Sequence, residues 1–188
     1  MKFYSGVTSM KMGITLREAW SIIHGVGFGT AFLILFPAVL LGLFFLGRGW
    51  VDGKVPGSYV RFLVVGAWTI TVLAWLTDIV GSYVPYPWYR VQPPEGITNL
   101  RNFPKSYLRS RSHLAVWENF GMKWKEYLGW VVPILSTAAS YILLVYGKRL
   151  IDQPKLRKAV MTLFLIAFIT GGITGLLGIF ITKLAPVR

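Results

Sequence analysis

Four apolar stretches of about twenty residues each, set apart by segments rich in charge, proline and glycine, dominate this sequence. A helix rises 1.5 Å per residue, so about 20 residues cross about 30 Å of hydrocarbon. Each stretch meets that length. Lipid offers the backbone no water, so a crossing segment must satisfy its own amides, and a lone apolar stretch does so only as a helix. The expected fold is an all-α integral membrane protein: four transmembrane helices plus one interfacial amphipathic helix before helix 3.

Residues 1–188 read as a single membrane domain, with crossings at about 19–46, 62–83, 127–146 and 159–182 and the interfacial helix at about 113–125. With 54% hydrophobic and only 14% charged residues, the chain has too little charge for a soluble surface of its size. An even number of crossings puts both ends and the long second loop on one side. The charged start resembles a secretory signal, but the apolar run ends at Leu46-Gly47-Arg48 without a small-residue cleavage site, so the first helix is expected to be retained.

The net charge of +13 raises the question of nucleic acid. Lys and Arg lie between the apolar blocks, where they meet lipid phosphates and set topology, and no basic helix or nucleic-acid motif accompanies them. The expected partners are the lipid bilayer and other membrane protein subunits, with no nucleic acid. Loops one and three concentrate Arg48, Lys54, Arg61, Lys148, Arg149, Lys155, Arg157 and Lys158 in short connections. Counted near the helix ends, they favour a cytoplasmic position for those loops, with both termini and loop two outside a bacterial or archaeal plasma membrane.

Local signals refine this outline. Thr15 and Glu18 have the spacing of a capping box and start the first helix. Gly25-x-x-x-Gly29 in helix 1, and Gly171, Gly175 and Gly178 in helix 4, form smooth strips on which another helix can pack closely. Two prolines in Pro85-Tyr86-Pro87-Trp88-Tyr89-Arg90 and the Pro93-Pro94 that follow predict a rigid extended segment, whose aromatic residues suit the headgroup layer or a partner surface. His113, Trp117, Phe120 and Trp124 recur every three to four residues and define the face of the interfacial helix, so Trp117 and Trp124 are expected contacts as well.

Candidate chemistry gathers on the loop-two side. The topology brings His24, His113, Asp78, Glu118 and Glu126 to that boundary. His24, His113 and Asp78 are candidates for binding a haem b or a quinone headgroup. His24, His113 and Glu118 are candidate metal ligands. Asp78 lies inside an apolar block, where an unpaired carboxylate costs several kcal/mol, roughly, or takes up a proton. Helices 2, 3 and 4 contain no histidine, which excludes a bis-histidine haem between crossings unless another subunit supplies a ligand. The absence of cysteine removes covalent c-type haem and cysteine-ligated iron–sulfur clusters from this chain.

No nucleophile triad, P-loop or His-Glu-x-x-His appears. The expectation is a small non-catalytic subunit that packs against larger partners in a multi-subunit membrane complex of the bioenergetic, electron-transport kind. Two alternatives remain: an electron-transfer component that binds haem, metal or quinone at the His24/His113/Asp78 face, and a small transporter or channel lined by Asp78 and the Ser/Thr run at 136–140.

Overall fold

The computed structural model describes residues 14–48 and 55–185, and every regular element among them is helical. Four helices are long and apolar enough to cross a membrane: Leu16–Leu46, Gly57–Tyr89, Trp117–Leu150 and Pro154–Leu184, here helices one to four. At 31 to 34 residues each, they exceed the crossing length. Every one begins before the apolar block does, because hydropathy marks the greasy part while caps and prolines mark the start.

Helix one starts at the predicted capping box. The Thr15 hydroxyl accepts from the Glu18 amide at 3.2 Å, and the Glu18 carboxylate accepts from the Thr15 amide at 2.9 Å. Pro154 begins helix four at a position where a missing N–H costs nothing. Helix three begins ten residues before the expected 127. The stripe read as a separate interfacial helix is π-helical over Trp117–Met122 and runs without a break into Lys123–Tyr146.

The proline segment at the end of helix two also departs from expectation. Instead of being extended, Pro85–Tyr89 forms a short helix. Both of its prolines fall in the first turn, where the backbone N–H groups have no helical partner in any case. Residues 91–94, which follow, lack regular structure.

The helices pack in a closed circuit, one on two, two on three, three on four and four back on one. Each runs antiparallel to its neighbours. At one end, the start of helix two meets the ends of helices one and three through Tyr59–Gly42 and Val60–Gly147. The core at that end and the centre is apolar, built on Leu43, Leu63, Ile70, Leu143 and Val160. Phe36 stacks on Phe168 at 4.6 Å and meets Phe164 edge-on at 5.7 Å, joining helix one to helix four. Arg157 closes the short third loop by donating to the Leu150 and Ile151 carbonyls at 2.7 and 3.1 Å, which satisfies acceptors left free at the end of helix three.

A polar seam joins helices two and three at mid-length. The Thr71 and Ser140 hydroxyls pair at 2.8 Å, and the Trp75 indole N–H donates to Thr137 at 3.0 Å. These bonds engage most of the Ser/Thr run of helix three. Ser136 Oγ beside them is buried and unpaired.

Candidate functional site

The loop-two end of the circuit is built differently from the apolar end. Three ionisable side chains, from helices one, two and three, each lie against a glycine of the next helix. The imidazole of His24 covers Gly81, where a methyl group would sit 2.9 Å from both ring nitrogens. The Asp78 carboxylate covers Gly129, where a methyl would sit 2.9 Å from Oδ1. The Lys125 stem crosses Gly178, where a methyl would sit 3.0 Å from Cε. Phe32 against Gly171 completes the circuit between helices four and one. Small residues let helix backbones approach, and here the space they leave is taken by charged or polar groups turned inward.

These groups converge without closing on one another. Lys125 is near enough to interact electrostatically with Asp78, Glu126 and His24. Lys125 forms no direct ion pair with Asp78 or Glu126 among the described residues. His24 approaches the backbone of Thr77, yet its Nδ1 is buried without a partner among the described residues, as is Asp78 Oδ2. A buried polar atom left unpaired costs on the order of 1–3 kcal/mol, so the cluster holds hydrogen-bonding capacity that the chain itself does not use.

The backbone bears a second mark of the site. Ile23–Gly29 and Trp117–Met122 are both π-helical, and both lie at this end. His24 lies in the first, and Lys125 follows the second within one turn. A π segment widens the helix and shifts the facing of the residues after it, and such segments recur at functional positions. No known protein family, curated protein or solved structure matches this chain.

Beside the cluster lies a second, fully partnered group. Glu118 is 5% exposed and accepts a hydrogen bond from the Tyr89 hydroxyl, and its other oxygen lies 3.5 Å from Lys105 Nζ and 3.9 Å from Arg109 Nε. Four elements meet there: the short Pro85–Tyr89 helix, the loop-two helix Pro104–Arg109 and helix three directly, with helix four through Ile181 and Ala185. Each donor offsets part of the cost of burying the carboxylate, so Glu118 serves as a clamp on loop two. Tyr86 similarly faces Glu126.

Of the residues singled out from sequence, His24 and Asp78 come together and His113 stays outside, exposed on the turn before helix three. Among the described residues no three His, Cys, Asp or Glu side chains form a group that could hold a metal ion, so His24, His113 and Glu118 are not assembled as a metal site. Of the aromatic segment, Tyr89 is turned inward, Tyr86 and Trp88 are half-buried, and Arg17 lies 5.8 Å over the Trp88 ring. Trp117 packs on Phe180 at 5.5 Å, while Trp124 remains about half exposed beside Phe120.

The glycine strips divide. Gly171 and Gly178 face neighbours inside the chain; Gly25 and Gly175 face open space, and Gly29 meets only the His24 carbonyl of its own helix, at 3.8 Å. Gly81 and Gly129 were not singled out in the sequence, and neither was the packing of Lys125 on Gly178. Lys125 looked like a residue of a surface helix, and only the early start of helix three brings it inside the bundle. An open apolar groove of about 380 Å³ between helices two and three, beside Trp68, Trp75 and Tyr141, includes none of the cluster residues.

Proposed function

We propose that this chain is a small, non-catalytic membrane subunit that packs against larger partners in a multi-subunit complex of the electron-transport kind. The observation that carries this reading is the set of outward glycines. At Gly25, Gly27, Gly172 and Gly175, on adjacent helices one and four, an added Cβ would meet nothing within 4 Å among the described residues. Bare backbone flanked by the exposed side chains of Val26, Ile173 and Leu176 suits the close approach of a helix from another protein.

The reading places helices one to four across a bacterial or archaeal plasma membrane. The first turns of helix three, with Phe120 and Trp124 exposed, lie in the headgroup layer, and loops one and three face the cytoplasm. Because the chain has no cysteine, single Ser112→Cys and Gln153→Cys variants report sidedness directly through an impermeant thiol reagent. Labelling of Gln153→Cys but not Ser112→Cys in whole cells would reverse the orientation.

Native purification in a mild detergent tests the subunit reading. Partner proteins are expected in stoichiometric amount, and Gly175→Leu is expected to release them without unfolding the chain, since that glycine touches nothing within it. A stable lone monomer would sink the proposal.

The unpaired His24 Nδ1 and Asp78 Oδ2 favour a second reading, in which the chain contributes a haem, quinone or proton-exchanging site to such a complex. An absorption spectrum and a quinone extraction of the pure chain address the first two. A colourless, quinone-free preparation in which Asp78→Asn leaves proton uptake unchanged would remove this reading while leaving the subunit reading intact.

A further inference from the structure

Loop two folds back on itself around a small polar depression of about 150 Å³, separate from the buried cluster. Thr98, Asn99, Arg101, Tyr107, Ser110 and Arg111 contribute to its lining, and no acidic residue does. The walls are held in place. Asn99 accepts from the Arg101 amide at 3.2 Å and starts the turn Leu100–Asn102. The following helix, Pro104–Arg109, is anchored by Leu108, which is fully buried, and by Lys105 and Arg109 on Glu118. Ser110 donates to the Tyr107 carbonyl at 3.0 Å.

Two arginines, Arg101 and Arg111, line this depression, and neither has a carboxylate partner among the described residues. Arg111 donates one N–H to the Tyr107 hydroxyl, with its guanidinium carbon 4.1 Å from the centroid of that ring, which orients the group and leaves its other donors free. Among the described residues the Arg101 guanidinium has no hydrogen-bond or ion-pair partner, although the Arg101 backbone is fixed by Asn99. Two like charges held beside one polar depression repel each other unless an anion lies between them. The fork geometry of arginine suits an oxyanion with several oxygens, which it can bind through two parallel N–H donors.

We infer that this depression binds a phosphate-bearing anion between Arg101 and Arg111, with the Thr98 hydroxyl as a further donor. The phosphate belongs to a lipid headgroup or to a soluble phosphoester. The inference does not depend on the chain being a subunit.

The test uses the full chain in mild detergent at low salt. In one arm, native mass spectrometry compares retention of phosphatidylglycerol with that of a phosphate-free galactolipid of the same acyl chains. In the other, calorimetry measures binding of inorganic phosphate and of glycerol 3-phosphate. Stoichiometric binding is expected in at least one arm. Binding of the lipid alone identifies a headgroup site; binding of the soluble anions as well identifies a phosphoester site.

Arg101→Gln and Arg111→Gln are each expected to weaken binding about tenfold, as loss of a charge-assisted pair does. Lys148→Gln/Arg149→Gln, which removes two exposed charges at the opposite end, is expected to leave it unchanged. No binding in either arm overturns the inference, as does equal loss from the Lys148/Arg149 variant, which would show diffuse charge attraction only. If Arg111→Gln disturbs the loop through Tyr107, Arg101→Gln still decides the matter, because its side chain holds no other described residue in place.

Discussion

The slot that Gly81 provides for His24 can be tested by adding one methyl group. In Gly81→Ala, the new Cβ falls well inside contact distance of the imidazole, and because the glycine lies within helix two it cannot easily retreat. Forcing such overlap costs about 1–3 kcal/mol. Alanine also favours a helix over glycine by about 1 kcal/mol, so the single variant alone loses only about 0–2 kcal/mol. A double-mutant cycle removes this ambiguity. In the His24→Ala background the ring is gone, the methyl enters the space it left, and the propensity gain is the same on both sides of the cycle. The coupling between the two positions is therefore the steric term alone, about 1–3 kcal/mol in favour of the double variant. Reversible unfolding by sodium dodecyl sulfate in mixed micelles measures it. Additivity to within about 0.5 kcal/mol would refute the packing of His24 on Gly81 and, with it, the convergence of the cluster.

Three further outcomes follow from the same geometry. Glu118→Gln leaves Tyr89 and Lys105 without their anion; loop two should loosen by about 1–3 kcal/mol, seen as faster tryptic cleavage after Arg101, Arg109 and Arg111, and an unchanged cleavage rate would deny the clamp. The Thr71–Ser140 bond should show a coupling of only about 0.6 kcal/mol in a cycle of Thr71→Val with Ser140→Ala, the usual scale for hydroxyl pairs between membrane helices; a coupling several times larger would mean the seam is a main source of stability. Phe36→Ala empties a site at the centre of the Phe164/Phe168 contact and should cost about 3–5 kcal/mol in the same unfolding assay, whereas a loss below about 1 kcal/mol would show that the core collapses freely around it.

Much of the helical layout was legible in the residues. The four apolar blocks, the Thr15–Glu18 box and the glycines at 171 and 178 all led to the elements in which they are found, because each signal acts over a turn or two of helix. Two readings drawn from equally local rules went astray at proline and at the amphipathic stripe. Proline excludes a helix interior but not a first turn, and nothing in the spacing of Pro85 and Pro87 says which of these they occupy. The Trp117/Phe120/Trp124 stripe has the same period whether the helix stops at Lys125 or continues for twenty more residues.

The candidate site was half legible. His24 and Asp78 stood out because an ionisable group in an apolar run is costly wherever the run lies. Lys125 did not, since it sits among other charges and its meaning depends on where helix three begins. Its selection of Gly178, like that of Gly81 by His24 and Gly129 by Asp78, joins residues on different helices and leaves no periodic trace in the sequence.

The sequence by itself determined that the chain forms four long apolar helices, because backbone hydrogen bonding and hydrophobicity are set residue by residue along one segment. Only the tertiary structure decided which polar groups are buried together, which glycines face a neighbour and which face outward. Those outcomes depend on the rotation and stagger of each helix against the next, and the packing of all four determines them together.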